Sequence, residues 1–244
     1  MIGEWIDVGQ LLNGLVFYVV FVYSTVAHEA AHAWAAWKGG DPTAYRGGQA
    51  SLDPRPHLRR EPFGMIVLPL LSVVVSGWPI GFATAPYDAR WAERHPDRAG
   101  RMALAGPAAN LALVVLAGLA INLGVAFGVF YPPERIAFAD VTTAAAGADS
   151  LWNVVGFLIG SVFAMNVLLL VFNLLPVPPL DGSGVLVLVL PKESKARYQK
   201  ALNSSPVLSM VGIVVAWQLF EIVFGPAFNV ALNTLYILTG TSYG

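Results

Sequence analysis

Two histidines and a glutamate in the pattern His-Glu-x-x-His are the residues whose types and spacing most clearly suggest chemistry. They are His28, Glu29 and His32, within the apolar string "STVAHEAAHAWAAW". Residues at i and i+4 lie one turn apart on the same face of a helix, so both imidazoles can reach one metal ion. Glu29 is displaced from that line, but it is close enough to approach a water molecule on the ion. The pattern is typical of a hydrolytic zinc site with two histidine ligands and a general base.

The apolar setting favours this chemistry over a chance patch of solvated side chains. One ionisable side chain at the centre of a membrane helix costs about 2.5–3.5 kcal/mol. Here three such groups occur within five residues. Lys38 follows soon after, so a position at the end of the span, in the headgroup zone, remains open.

Catalytic zinc normally has three protein ligands, so a third is expected elsewhere in the chain. His57, His95 and the acidic residues are available, and Asp181 is the most informative because apolar sequence surrounds it in "FNLLPVPPLDGSGVLVLVL". The prolines of this string cannot continue a helix, and its glycines permit unusual backbone angles. Unwound backbone at membrane depth is tolerated only inside protein or around a wet cavity. This predicts a carboxylate that lines a cavity; the alternative is an interfacial loop in which Asp181 caps a helix.

The composition of the chain indicates the environment of these residues. Of 244 residues, 56% are hydrophobic and 12% are charged, and the mean hydropathy is +0.63. A typical soluble domain has about 25% charged residues, so the composition argues against a soluble globular enzyme and against a disordered chain. The net charge of -1 provides no basic field for nucleic acid, and the lack of cysteine excludes disulfides and cysteine-ligated metals. We expect an integral membrane protein with a single domain over residues 1–244.

Long stretches without charged residues mark the candidate membrane segments, because a span needs about 20 mostly apolar residues. They predict an all-α, polytopic transmembrane helical bundle of about five to six membrane segments. A short extended or β segment is expected after the first helix, near residues 46–56. The expected apolar segments are 8–37, 63–78, 102–130, 151–175, the short run 185–190, and 206–238 as one long or two short helices.

The distribution of basic residues predicts the orientation in the membrane. The positive-inside rule places the loops 38–60, 90–101 and 192–200 in the cytoplasm. Segment 63–78 has basic loops on both sides, so either it is re-entrant or one loop departs from the rule. We expect a multi-pass protein of the cell membrane, with the N-terminus outside and the site near the cytoplasmic face.

Several motifs together resemble the site-2 protease family of intramembrane zinc metalloproteases. The paired strings are "AHEAAHAWAA" and the downstream "NLLPVPPLDG". In addition, "AGPAANLAL" is similar to the family's G-P-x-x-N helix start, and "ASLDPRPHLRREPFG" to its N-P-containing segment. The resemblance covers about residues 21–190, and no PDZ insertion interrupts it, which implies a compact member.

The resemblance implies a role for each motif residue. Zinc would be bound by His28, His32 and Asp181, and Glu29 would activate a water molecule as general base. Asn173 matches the asparagine of the second motif and would help to hold the substrate or the oxyanion. The implied activity is hydrolysis of peptide bonds in transmembrane substrate proteins within the lipid bilayer, with no nucleic-acid partner.

The chain departs from the family pattern in two places. Asp53-Pro54 stands where the family has Asn-Pro. The segment "GWPIGFATAPYDARW" only loosely matches a Gly/Pro-rich loop in which a Lys-Pro-Val-like string is usual. These departures leave the details of substrate positioning open, but they do not affect the predicted metal site.

Two other classes of function compete with proteolysis. An ion- or proton-coupled membrane transporter could use Glu29, Asp181 and Glu221 as a relay. Against it, the acids accompany an i, i+4 histidine pair, and no inverted repeat is visible. A catalytically inactive scaffold is the third interpretation, and the intact motifs argue against it.

The remaining polar residues are interpreted as structural. His57 and His95 are expected in surface or loop positions, and Glu221 near a helix end at the membrane interface. Asn110 is expected to form a hydrogen bond between helices, although the family resemblance also allows it a place near the site.

Overall fold

Four long helices dominate the protein, as its uncharged stretches predict. The computed structural model describes residues 8–146, 150–204 and 206–243. Within these residues, four helices are long and apolar enough to cross a membrane. They are α1 (Val8–Lys38), α6 (Pro96–Ala126), α7 (Leu151–Asn173) and α10 (Pro206–Leu235). The all-α membrane fold class is confirmed, with fewer spans than the predicted five to six. The N-terminus, which is predicted to lie on the outer side of the membrane, precedes Val8 and is not among the described residues.

Shorter elements connect the long helices. The helical ones are α2 (Thr43–Arg46), α3 (Pro54–Arg60), a π-helical turn (Phe63–Val67), α4 (Leu68–Ser76), α5 (Ala89–Arg94), α8 (Asp181–Val185), a 3-10 turn (Leu186–Leu188) and α9 (Lys192–Ser204). Strand β1 (Phe130–Tyr131) pairs antiparallel with β2 (Thr143–Ala144). The apolar stretch Phe63–Ser76 is shorter than the roughly 20 residues of a span. Its length therefore fits the re-entrant alternative.

The segment after α1 differs from the prediction. All of residues 39–61 are described, and they form turns and two short helices instead of an extended or β segment. The physical reason is local: Asp53 caps α3 by accepting a hydrogen bond from Arg55 N, and Pro54 occupies the first turn, where its missing N–H costs nothing. The hydrogen bond from the Arg55 side chain also lowers the pKa of Asp53 to about 2, so the cap stays charged at more acidic pH than an ordinary aspartate would. The extended or β segment expected near residues 46–56 is therefore wrong.

The chain divides into two compact units. The first comprises Met1–Gly106 and Gly184–Ser204, and the second comprises Pro107–Ser183 and Ser205–Gly244. Helix α6 contributes residues to both. One functional domain over 1–244 stays a prediction.

In the first unit, α1 packs closely against α4. A Cβ atom at Gly14 would lie 2.6 Å from Val73 Cγ1 and 3.0 Å from Gly77 O, so the glycine permits the close approach of the two helices. Helix α4 ends at Gly77, which adopts a left-handed φ of 73° and donates its N–H to Val73 O. Helix α1 is thereby held along the part that precedes the histidine motif.

In the second unit, α7 packs against α10 around an aromatic and aliphatic core. Phe224 and Phe228 of α10 stack at 5.4 Å between ring centroids, and Phe138 stacks on Phe228 at 5.9 Å. Tyr236 is fully buried and donates its hydroxyl to Val141 O at 2.7 Å. This hydrogen bond satisfies the one polar atom of an otherwise apolar side chain.

Asp41 organises the turn that follows α1. Its side chain is buried and accepts hydrogen bonds from Thr43 N at 2.9 Å and from Asp88 N at 2.7 Å. It thus joins the end of α1 to the beginning of α5. A carboxylate with two oxygens can serve both backbone donors at once.

We expect the Asp41→Ala variant to be less stable by about 1–3 kcal/mol, because the backbone N–H groups of Thr43 and Asp88 lose their charged acceptor. The measurement is thermal unfolding in detergent micelles. The exposed Asp140 is the matched control, and Asp140→Ala should unfold at the temperature of the unaltered protein. An unchanged unfolding temperature for Asp41→Ala would contradict the role of Asp41.

Candidate metal centre

The buried face of α1 brings His28, Glu29 and His32 together. Their exposed fractions are 5%, 6% and 7%. Their ligand-capable atoms all lie within 4.8 Å of one another. The two histidine Nε2 atoms face each other at 2.9 Å. Burial of three ionisable side chains on an apolar helix is unfavourable unless hydrogen bonds, ion pairs or a bound metal ion compensate for the loss of water.

A backbone carbonyl determines the tautomer of His32. Its Nδ1 lies 2.7 Å from the carbonyl oxygen of Met102 on α6. A carbonyl only accepts, so Nδ1 carries the hydrogen and donates it. In the neutral imidazole, Nε2 then keeps its lone pair for a metal ion. This is the orienting hydrogen bond that metal-binding histidines usually make with their second ring nitrogen.

The donor set fits zinc. Zn–N bonds of about 2.0–2.1 Å in a tetrahedral site place two nitrogen ligands roughly 3.3 Å apart. The observed Nε2 separation of 2.9 Å needs only a small widening to reach that value. Imidazole nitrogen and carboxylate oxygen are both ordinary zinc ligands.

Gly106 on α6 closes one side of the histidine pair. A Cβ atom there would lie 2.5 Å from His28 Nε2 and still closer to His32 Nε2. The space in front of the two nitrogens therefore exists only because residue 106 has no side chain. Gly106 was not predicted as a site residue, although the Gly-Pro pair inside the apolar string "AGPAANLAL" is a signal that could have identified it.

The other two predicted site residues belong to the second unit. Asp181 is the first residue of α8 and is half-buried, and a Cβ atom at the following Gly182 would clash with the carbonyl oxygens of Leu174 and Leu175. The backbone at Gly182, next to Asp181, is thus packed tightly against the residues that directly follow α7. Asn173 is the last residue of α7, and its amide donates to Leu169 O at 3.0 Å. That Asp181 binds the same metal ion as the histidine pair, and that Asn173 lies beside it, stay predictions.

Asn110 forms the expected hydrogen bond between helices. It is fully buried on α6 and donates from Nδ2 to Asn166 Oδ1 on α7 at 2.8 Å. Asn166 in turn donates to Val162 O at 2.8 Å. The amide pair thereby links the two helices within the second unit.

Two of the residues interpreted as structural differ from expectation. His57 is 1% exposed instead of lying at the surface, and its Nε2 lies 3.1 Å from Ser51 O. Glu221 is exposed but lies in the middle of α10, not near a helix end. Both differences arise because burial and helix length depend on packing that local composition does not reveal. His95 is partly exposed at the end of α5, as expected.

Comparison with known proteins adds an independent finding. The family model described as "Peptidase family M50" matches residues 16–217. "Putative zinc metalloprotease YwhC" of Bacillus subtilis is 31% identical over 83% of this chain and 84% of its own length. "Putative zinc metalloprotease Rip2" is 33% identical in Mycolicibacterium smegmatis, over 68% of this chain and 54% of the relative. In Mycobacterium tuberculosis it is 31% identical, over 85% of this chain and 71% of the relative. No solved structure matches the chain significantly.

Proposed function

The chain belongs to peptidase family M50, and from this membership we propose that it hydrolyses peptide bonds of transmembrane substrate proteins within the bilayer. The protein is a zinc metalloprotease and an integral membrane protein. The observation that carries the finer proposal is the buried group on α1, where His28 Nε2 and His32 Nε2 lie 2.9 Å apart beside Glu29. A membrane helix has no structural need for such a group.

His28 and His32 are proposed to hold zinc, with Asp181 as the third ligand. When bound, zinc supplies a Lewis acid that polarises the scissile carbonyl and lowers the pKa of water to about 7. The Met102 carbonyl keeps the His32 ring in its orientation and tautomer. Gly106 keeps the space in front of both nitrogens open.

Glu29 is the proposed general base. It accepts a proton from the attacking water as the new C–O bond forms, and it donates a proton to the amine nitrogen as the C–N bond breaks. Its carboxylate lies within 4.8 Å of the ligand atoms of both histidines, which is close enough for contact with a water held between them. Burial of the group limits the access of bulk water, so the water molecule must come through a polar passage.

Asn173 is proposed to hold the substrate or the oxyanion through hydrogen bonds of its side-chain amide. A primary amide has two N–H groups and one carbonyl oxygen. One N–H is used within α7, toward Leu169 O. The proposal therefore requires the second N–H or the carbonyl oxygen to face the substrate.

The relatives are bacterial, and helical membrane proteins of bacteria reside in the cell membrane, whereas outer-membrane proteins form barrels. We therefore propose the cell membrane as the location. The transporter alternative receives no support from the family or from the relatives.

Zinc analysis of purified variants tests the ligand set. We expect about one zinc per chain in the unaltered protein and a large loss in His28→Ala, His32→Ala and Asp181→Ala, because a catalytic site needs three protein ligands. His95→Ala and Asp140→Ala are matched controls outside the metal centre and should keep their zinc. Full zinc occupancy in Asp181→Ala would overturn the third ligand, and full occupancy in both histidine variants would overturn the site.

A further inference from the structure

A basic cleft lies between α5 and α9 of the first unit. Its volume is about 620 Å³. Four cationic side chains and one carboxylate line it, together with Ala196: Arg90, Arg94, Arg197, Lys200 and Glu93. The chain as a whole has a net charge of -1, so this excess of positive charge is a local feature. A volume within the range of about 300–1,000 Å³ is typical of sites for small ligands.

Contacts at both ends hold the two walls of the cleft together. At one end, Tyr87 donates its hydroxyl to Asn203 Oδ1 at 3.0 Å, and Asn203 Nδ2 donates to Ala89 O at 3.4 Å. At the other end, Lys195 of α9 forms an ion pair with Asp97 at the beginning of α6. The two helices that form the walls are therefore fixed relative to each other, and the four cationic side chains between them are exposed to solvent.

The cleft is connected directly to two membrane helices. Helix α5 ends at Arg94, two residues before α6 begins at Pro96, and α9 ends at Ser204, two residues before α10 begins at Pro206. Both α6 and α10 are long and apolar enough to span a membrane. Because the first residues of α6 are charged and its apolar part follows directly, α5 is expected near the depth of the lipid headgroups.

We propose that this cleft binds the phosphate headgroup of an anionic phospholipid. Guanidinium groups match phosphate oxygens with paired N–H donors, and arginines stand on both walls of the cleft. Arg94 is oriented by its own helix, because its Nε donates to Arg90 O at 3.1 Å. Basic pockets beside membrane spans at a cytoplasmic surface are suited to such headgroups. The headgroup would fix α5 and α9, and with them the first turns of α6, relative to the bilayer surface.

The test is the stabilisation of the purified full chain by phosphatidylglycerol in micelles that contain phosphatidylcholine. Binding to the native state raises the unfolding temperature. The double variant Arg90→Gln, Arg197→Gln removes one cation from each wall. We expect it to need about 25-fold more phosphatidylglycerol for half of the maximal shift, because each juxtamembrane cation contributes roughly fivefold. Arg90→Lys, Arg197→Lys keeps the charge and should recover much of the affinity, which distinguishes lost binding from damaged folding.

The matched control is Arg59→Gln, Arg60→Gln, which removes two exposed cations of α3 away from the cleft. It should respond to phosphatidylglycerol like the unaltered protein. An equal loss in both double variants would reduce the effect to general surface charge and overturn the site. Two other results would overturn the lipid as its ligand: inorganic phosphate alone reproducing the shift, or phosphatidylcholine stabilising as well as phosphatidylglycerol.

Discussion

The Glu29→Gln variant is expected to bind as much zinc as the unaltered protein and to cleave about 10²- to 10⁴-fold more slowly. Glutamine has almost the same shape as glutamate, so the buried group on α1 can keep its packing. It cannot accept a proton from the attacking water, and the rate loss corresponds to the loss of a general base. The two histidines, which carry the metal, are unchanged.

The measurement is the rate of cleavage in liposomes, with a mixture of transmembrane peptides first screened by mass spectrometry for one that the unaltered protein cleaves. Zinc content is determined on the same samples. Glu134→Gln, at an exposed position outside α1, is the matched control and should cleave at the normal rate. Full activity of Glu29→Gln would refute the assignment of the base, whereas loss of zinc together with activity would assign Glu29 to the ligand set instead.

The Gly106→Ala variant is expected to lose both zinc and proteolysis. The added methyl group would lie 2.5 Å from His28 Nε2 and closer to His32 Nε2, in the space that both nitrogens face. Either the methyl group excludes the ion or α6 moves away from α1, and the Met102 carbonyl then no longer orients His32. Zinc per chain should fall from about one to near zero, since the added methyl group disturbs both histidine ligands.

Gly118→Ala is the matched control on the same helix, because its added Cβ would meet Leu235 Cδ1 at 3.4 Å, an ordinary contact. It should keep its zinc and its activity. Circular dichroism and the unfolding temperature of both variants separate a local effect from loss of folding. A folded Gly106→Ala protein with normal zinc content would contradict the close approach of α6 to the histidine pair.

The membrane helices were predictable because a span needs only length and hydrophobicity. The prediction of 8–37 agrees with α1, and that of 151–175 nearly agrees with α7. Helix α6 begins at Pro96, before the predicted 102, because the charged residues of its first turns extend the helix beyond its apolar part. Residues 46–56 were wrongly expected to be extended: Pro54 stands in the first turn of α3, where proline is favoured.

The metal centre was predictable in part. The family resemblance is confirmed, and the i, i+4 spacing of His28 and His32 brings both imidazoles to one face of α1. The role of Asp181 rests on the second motif and stays a prediction. The burial of His57 was not predictable, since its neighbours Arg55, Pro56 and Arg59 are typical of a surface segment.

The sequence by itself determined the membrane environment, the zinc chemistry and the group on α1, because periodicity within one helix and total hydrophobicity are local properties of the chain. Only the tertiary structure decided which nitrogen of His32 is available for a metal and why residue 106 must be glycine. Both depend on how closely α6 approaches α1 across some 70 residues of chain. The same is true of the basic cleft, whose arginines come from helices far apart in the sequence and meet only because the folded chain brings α5 and α9 side by side.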